Sequence, residues 1–359
     1  MSYNVHHDIT QAHTLPAAFY RDAAAFDLVR ERTFVPAWHY IGARPDLTPN
    51  EAQPFTLLAD YLGEPLMLAR DQEGTLRCLS NVCTHRGFLL LSERTACHEL
   101  RCRYHGRRFA LDGHFRSMPE FQGAAHFPTT EDNLTALPLE WLGALGFTAL
   151  HPSRSFGTWL APVLQRVGWM PFGDFHYAPA YSQVYTVKAH WALYVDNYLE
   201  GFHIPFVHPG LNDLLSYKEY SYELFGWGNL QLGIARDADT PVFDIPPGYK
   251  DSGRQVAAFY FWLFPNLMLN FYPWGLSLNV VEPVSPAETR IRFETFLWQP
   301  DRYQAANRDL MHLTELEDEA VVEGVQQGIG SRLYKHGRFS PKMEPAVHQF
   351  HRLLSEAIQ

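Results

Sequence analysis

Cys83-Thr84-His85 and, after sixteen intervening residues, Cys102-Arg103-Tyr104-His105 constrain this chain more than any other feature. Each half pairs one thiolate with one imidazole. That division suits a two-iron, two-sulfide cluster in which the two cysteines hold one iron and the two histidines the other. Exchanging two anionic thiolates for neutral imidazoles lowers the negative charge of such a cluster. Its reduction potential then rises from about −400 mV into a window of roughly −150 to +300 mV, where it accepts single electrons and passes them on. A structural zinc is the competing use of two Cys and two His, but its ligands usually pair as C-x(2–4)-C and H-x(3–5)-H. C-x-H followed by C-x-x-H fits that pattern poorly. Cys97-His98 belongs to neither grouping and reads as an ordinary loop pair.

At 359 residues the chain exceeds a small electron carrier and is expected to form two domains, taking about 150 residues per domain as a guide. Lys and Arg total 29 against 39 Asp and Glu, a formal net charge of −10. This disfavours a nucleic-acid partner, which calls for a basic face. No basic stretch leads into an apolar run at the N-terminus, and nothing later approaches 18 uninterrupted apolar residues, so neither export nor membrane spanning is expected. The four cysteines (78, 83, 97, 102) crowd one short region. A disulfide scaffold would spread them, and a reducing cytoplasm is the expected setting.

Residues 16–35 carry apolar side chains at helical spacing and are expected to open the fold as a helix. From Trp38 to about Leu150, short β-like runs such as Pro65–Ala69 are broken by Gly, Pro and Asp, the pattern of a small all-β domain. Both Cys/His pairs fall in its loops. Residues 152–174, rich in Gly and Pro, read as a connector. Beyond it come a strand over 181–187, a helix near 191–202, aromatic strands over 257–270, 276–281 and 291–298, a charged helix over 301–331 and a last helix over 344–358. Strands and long helices without βαβ alternation predict an α+β unit with an antiparallel sheet.

A second metal site is suggested by Asp196-Asn197-Tyr198-Leu199-Glu200-Gly201-Phe202-His203-Ile204-Pro205-Phe206-Val207-His208. Glu200 and His203 are three apart, the spacing of one helical face. Pro205 is expected to end or bend the helix and swing His208 back toward His203. Two histidines so placed want a carboxylate to complete a facial triad for non-haem Fe(II). Asp196 and Glu200 are local candidates; Asp318 is the distant one preferred here. At about 100° per residue, Asp318 shares a stripe with Met311, Val322, Val325 and Ile329, whereas Glu317, Glu319 and Glu323 point away. A carboxylate within an apolar stripe costs several kcal/mol unless paired or metal-bound.

In this order the two sites resemble the catalytic α subunit of a Rieske non-haem iron oxygenase, and the likeness spans nearly the whole chain. The resemblance implies a small all-β Rieske domain at 38–150 carrying a [2Fe–2S] cluster on Cys83, His85, Cys102 and His105. It implies a helix-grip-like catalytic domain at 151–359, its antiparallel sheet flanked by helices, with residues 1–37 packing on it. His203, His208 and Asp318 would hold mononuclear Fe(II). Glu200 would bridge the two kinds of centre across a homotrimer interface, with Asn197 and Asp196 as further catalytic candidates. Glu at that bridge, and the segment Glu200-Gly201-Phe202-His203, are similar to the choline, betaine and carnitine branch. Where the family usually has C-P-x-H-G-W, this chain has Arg103 and Arg107. Their charge is expected to raise the cluster's potential.

The activity implied is oxygenation of a small substrate with O2, as hydroxylation or oxidative N-demethylation. The chain has no Gly-rich dinucleotide fingerprint after a strand, so NAD(P)H is expected to bind a separate flavin or iron–sulfur reductase. Phe264, Asn270, Tyr272 and Trp274 are the candidate substrate residues. Their rings suit a quaternary ammonium through cation–π contacts worth roughly 0.5–2 kcal/mol each, and equally a flat ring, as in an aromatic ring-hydroxylating dioxygenase. A different class also stands at this point: a Rieske electron carrier with a non-catalytic ligand-binding domain.

Overall fold

The structure, a computed structural model, describes residues 3–214, 216 and 219–359, without the side chains of 305–307. Two compact units are present. One is Trp38–His151; the other joins the chain up to Ala37 with Pro152–Gln359.

The Trp38–His151 unit is all β. Its strands are β1 (His39–Ala43), β2 (Glu51–Leu57), β3 (Glu64–Arg70), β4 (Leu76–Ser80), β5 (Thr95–Ala96), β6 (Leu100–Arg101), β7 (Arg108–Phe109), β8 (Phe115–Ser117), β9 (Ala136–Leu137), β10 (Leu139–Leu142) and β11 (Leu145–Thr148). They form antiparallel sheets ordered β5-β2-β3-β4-β9, β1-β11-β10 and β6-β7-β8. The apolar run in β3 is explained by burial on both faces. Leu66 and Leu68 pack with Leu57 and Cys78, while Met67 and Ala69 pack with Leu79 and Phe109 in a second core that also holds Cys83 and Cys102.

Arg107 lies buried just before β7. Its guanidinium donates to Asp132 Oδ1 at 2.5 Å and sits 4.9 Å from the Phe115 ring centre, with Phe109 and Phe127 each at 5.6 Å. Burial works against ionised Asp132, but hydrogen bonds from Thr129 and Arg107 outweigh it and hold the carboxyl below its ordinary range. The charge of Arg107 is therefore balanced where it stands. Arg103 is exposed, and the charge of Arg107 is still felt at Cys83 and His85.

The second unit is built on an antiparallel sheet of eight strands among the described residues: β12 (His176–Tyr177), β13 (Gln183–Val187), β14 (Ser221–Phe225), β15 (Gly228–Ile234), β16 (Val256–Leu263), β17 (Leu267–Tyr272), β18 (Gly275–Ser285) and β19 (Glu288–Leu297). The order is β12-β19-β18-β17-β16-β15-β14, with β13 also paired to β19. The helices are α1 (Ala23–Val29), α2 (Phe156–Val167), α3 (Trp191–Tyr198), α4 (Ile204–Val207), α5 (Pro209–Leu214), α6 (Ala305–Ile329) and α7 (Pro345–Ala357). α3 packs on β18 and α6, and α7 on β14. No helix among the described residues is long and apolar enough to cross a membrane.

Several elements differ from expectation. The opening helix is broken: a 3-10 turn at Phe19–Arg21 ends at Asp22, whose side chain accepts from Ala24 N at 2.9 Å and starts α1 afresh. The expected connector contains α2, capped by Ser155. Its glycines and Pro162 mask the face of Trp159, Leu160, Val163 and Val167, which are buried at helical spacing. The expected strand over 257–270 is the hairpin β16–β17, closed by the Leu263↔Leu267 pair.

Arg107→Ala would leave Asp132 without its ion pair, held by Thr129 alone, and a space among three phenyl rings. It should destabilise the β unit by about 2–4 kcal/mol, whereas Arg108→Ala, which breaks an exposed pair with Glu99, should cost less than about 1 kcal/mol. Urea unfolding of both variants checks this; equal losses would refute it.

Candidate cluster and iron sites

The two Cys/His segments fold into matching loops. In the first, Cys83 N donates to Phe88 O at 2.9 Å and Gly87 N to Cys83 O at 3.0 Å. In the second, Cys102 N donates to Arg107 O at 2.8 Å and Gly106 N to Cys102 O at 3.0 Å. Gly87 and Gly106 close these turns at φ 71° and 76°, a region that side chains resist. Sulfur is thereby buried in both loops, and the rings of His85 and His105 stand 4.8 Å apart, edge to face.

The donor chemistry suits a cationic cluster core. Burial, then the nearby His105 and Arg107, lower the pKa of His85 and keep its ring neutral. His105 Nδ1 is buried and meets no hydrogen-bond partner among the described residues, as a nitrogen reserved for a metal would be. Burial raises the Cys83 thiol, and Cys102 adds to the effect. A thiol so raised is relieved by a cation shared with the neighbouring sulfur.

In the other unit, α3 stops at Tyr198, so Glu200 and His203 meet in a turn and not on a regular helix. The Glu200 carboxylate accepts from the backbone N–H of Phe202 and of His203, the latter at 3.1 Å, and from His203 Nδ1 at 2.6 Å. Pro205 starts the short α4 instead of ending a helix, the position where its missing N–H costs nothing. His208 follows α4, 1% exposed. It donates from Nδ1 to Glu317 Oε2 at 2.7 Å, and its Nε2 lies 3.0 Å from Asp318 Oδ1.

The remaining edges of the triad are 3.1 Å between His203 Nε2 and His208 Nε2, and 3.4 Å between His203 Nε2 and Asp318 Oδ1. An ion with bonds near 2.1 Å at right angles needs adjacent ligand atoms about 3 Å apart. The residues fit an octahedral face. Burial opposes charge on His203, yet hydrogen bonds and charge from Asp318 and Glu200 outweigh it and raise its pKa to about 9. His208 is raised in the same way, burial again opposing and Asp318 and Glu317 prevailing. Asn197 donates to Asp318 Oδ1 at 2.5 Å. The surroundings favour a cation at the point the three ligands share.

A cavity of about 240 Å³ opens beside this triad, lined by Asn197, Glu200, Asn270, Tyr272 and Trp274 among others. Two expected site residues are not brought there. Asp196 lies about 100° round α3 from Asn197. It accepts from His351 Nε2 at 2.8 Å and from the Tyr20 hydroxyl at 3.3 Å, tying α3 to α7 and to the N-terminal segment. Phe264 sits in the hairpin turn at the far end of β16 from Tyr272, edge-on to Trp262. Sequence reasoning missed Glu317, Tyr198 and Glu315. On α6 the buried face takes in Glu315, Val322 and Ile329 while Val325 is 45% exposed. The stripe is thus rotated by part of a turn from the expected one, and Glu315, four residues after Met311, was its missing member.

Residues 174–359 match the family model described as the ring hydroxylating alpha subunit catalytic domain, and residues 37–128 match the Rieske [2Fe-2S] domain. The chain belongs to the ring-hydroxylating α-subunit family: it is a Rieske non-haem iron oxygenase, with a [2Fe–2S] cluster and a mononuclear iron as cofactors. It is 28% identical over 364 residues to the carnitine monooxygenase oxygenase subunit of Escherichia coli K12, covering 97% of this chain and 95% of that one. It is 26% identical to chloroplastic choline monooxygenase of Arabidopsis thaliana, covering 96% and 83%. Among solved structures, a quaternary ammonium Rieske monooxygenase with L-carnitine superposes with a TM-score of 0.74 at 23% identity, covering 98% and 97%. Naphthalene 1,2-dioxygenase from Rhodococcus sp. gives 0.69 at 17%, covering 96% and 93%. As a family member the chain works with a reductase, O2 and a small substrate.

Glu317 fixes the tautomer of His208 by holding Nδ1–H. Glu317→Gln should lower ferrous-iron affinity about 10- to 100-fold without altering cluster content. Equilibrium dialysis of iron against the wild type measures this, and an unchanged affinity would remove the role.

Proposed function

We propose that this oxygenase hydroxylates a small quaternary ammonium compound at a carbon on or near its charged nitrogen. Attack on an N-methyl group yields an aldehyde and the demethylated amine. The observation that carries the reading is the wall of the cavity beside the triad, where Tyr194, Tyr198, Tyr260, Tyr272 and Trp274 line a space of about 240 Å³. Tyr272 and Trp274 stack at 5.0 Å and 11°. Aromatic faces attract a cation whose charge is spread over methyl groups. The named relatives along nearly the full chain, carnitine and choline monooxygenases, point the same way.

Cys83, His85, Cys102 and His105 are proposed to hold the cluster, and His203, His208 and Asp318 the iron. When bound, the cluster supplies single electrons and the iron supplies the centre where O2 is activated. The chain's own side chains then do the positioning. Glu200 holds Nδ1–H of His203 and Glu317 that of His208, so both Nε2 lone pairs face one point. Asn197 steadies Asp318 from α3. Tyr198 donates to Asn270 Oδ1 at 2.7 Å, joining the end of α3 to the cavity floor. One oxygen atom of O2 enters the substrate and the other leaves as water, with two electrons from an NAD(P)H-dependent flavin or iron–sulfur reductase.

The domain division proposed is 38–150 for the cluster and 151–359 for catalysis, with 1–37 packing on the latter. We also propose a homotrimer in which Glu200 links one chain's cluster to the next chain's iron, in a cytoplasmic setting. A related quaternary ammonium Rieske monooxygenase has been described in terms of inter-subunit electron transfer.

Oxygen uptake with a surrogate reductase, measured across methylated ammonium compounds and aromatic acids, tests the reading. Coupled turnover is expected with an ammonium compound. His203→Ala should abolish it, a loss of at least about 1,000-fold, while the visible spectrum of the cluster stays intact. Turnover confined to aromatic acids would overturn the substrate class.

A further inference from the structure

One buried acid beside the iron pocket has no part in the reading above. Glu315 lies one turn before Asp318 on α6, about 4.5 Å along the axis, and is 4% exposed. Tyr194 donates its hydroxyl to Glu315 Oε2 at 2.8 Å. The other oxygen, Oε1, is buried and meets no hydrogen-bond partner among the described residues. Both Glu315 and Tyr194 line the cavity.

A desolvated carboxylate with one oxygen unmet is costly, and such a group calls for a specific explanation. The other acids of the cavity are committed, Glu200 to His203 and its own turn, Asp318 to both histidines and Asn197. Among the described residues the one guanidinium lining the cavity belongs to Arg302, on the exposed stretch before α6 and thirteen residues from Glu315. Among the described residues Glu315 forms no ion pair.

We propose that Glu315 is the counter-charge for the ammonium nitrogen of the substrate, the group that makes this pocket select a cation over a neutral molecule of the same shape. The proposal rests on the quaternary ammonium reading and names the residue behind its specificity. Tyr194 fixes one oxygen; the other is shielded, so the carboxyl group, part of the cavity wall, acts on the charge through its field and not by direct contact. The rings of Tyr260, Tyr272 and Trp274 cover the methyl groups. With Asp318 one turn away, a nitrogen held at Glu315 keeps its methyl carbons on the side of the iron ligands. Burial, with the charge of Asp318 adding to it, lifts the Glu315 carboxyl well above the ordinary range, and an arriving cation offsets both influences. Aromatic walls favour a trimethylammonium group over a tert-butyl group by cation–π attraction, and a buried carboxylate adds a charge-based preference of its own.

The experiment is calorimetric binding to the iron- and cluster-loaded protein of choline, glycine betaine and L-carnitine, each beside its tert-butyl carbon isostere. The wild type is expected to prefer the ammonium member of at least one pair by about tenfold or more. In Glu315→Gln that preference should shrink to within about threefold, with affinity for the isostere and the cluster absorption unchanged. Tyr194→Phe, which removes the donor and keeps the acid, carries the same test should the first variant misfold. Its ammonium affinity should change at least about threefold with the isostere unmoved, and no differential change would overturn the assignment. Full retention of preference in Glu315→Gln overturns the role of Glu315 and leaves the substrate class standing. A wild type that binds none of the three ammonium compounds overturns both.

Discussion

His208 spends both of its ring nitrogens on α6, and the iron pocket depends on that attachment. Between the end of α3 and the start of α5 the chain has little regular structure of its own. α4 is a single turn, and a helix so short does not hold itself together in water. What fixes this stretch is a set of cross-links. Glu200 gathers the two N–H groups of its own turn, Gly201 N donates to the Tyr222 hydroxyl at 2.9 Å, and His208 reaches Glu317 and Asp318 at once. Those two acids are adjacent on α6 and diverge by about 100°, and each is met by a different nitrogen of the one imidazole. The register of His208 against α6 thus sets where Nε2 points, and the position of the triad follows from it.

The two metal-binding units solve opposite electrostatic problems. Around the proposed iron triad the protein gathers Glu200, Glu317 and Asp318 about two histidines, and the pKa values of both imidazoles rise in response. Excess negative charge is concentrated where a divalent ion, and on our reading a cationic substrate, offset it. In the β unit the local charge is evened out instead. The buried Arg107 is answered by Asp132, and His85 is held neutral. Electron delivery asks for a stable, uniform setting; capturing a metal ion asks for a strong local field.

Legibility from the amino-acid sequence followed the reach of each signal. Cys83, His85, Cys102 and His105 were readable because both loops are local and their glycines sit at fixed offsets. His203 and His208 were readable as a pair. Asp318 was found across more than a hundred residues because α6 is regular enough for its phase to be computed, although that phase was off by part of a turn. The error put Val325 inside and kept Glu315 out. Glu317 was set aside for pointing away from the stripe. It does so, and finds His208 on that side. Nothing in a one-dimensional pattern says what a neighbouring segment brings to the flank of a helix. Phe264 shows the same limit in a strand, where a run of apolar residues concealed the hairpin that carries it away from Tyr272. α2 was missed because Pro162 and the glycines outweighed its buried face in a local reading, whereas Ser155 as its cap and the packing of Trp159 decided the matter in the fold.

Violations of local rules proved the better guide to chemistry than agreement with them. A helix that buries Val322 and Ile329 has no structural need of acids at 315 and 318 on the same face, since each carries a desolvation cost that an apolar residue avoids. Asp318 recovers that cost through two imidazoles and Asn197. Glu315 recovers part of it through Tyr194 and is left with an oxygen still to be matched. Two such residues one turn apart, facing a cavity walled by aromatic rings, place the demand for a metal cation and the demand for an organic cation on a single rigid element. Their separation is then set by helical geometry and not by loop conformation. On our reading a substrate charge held on α6 is referenced directly to the carboxylate proposed to hold the iron, which is the kind of fixed spacing that regioselective attack on a carbon near that charge requires.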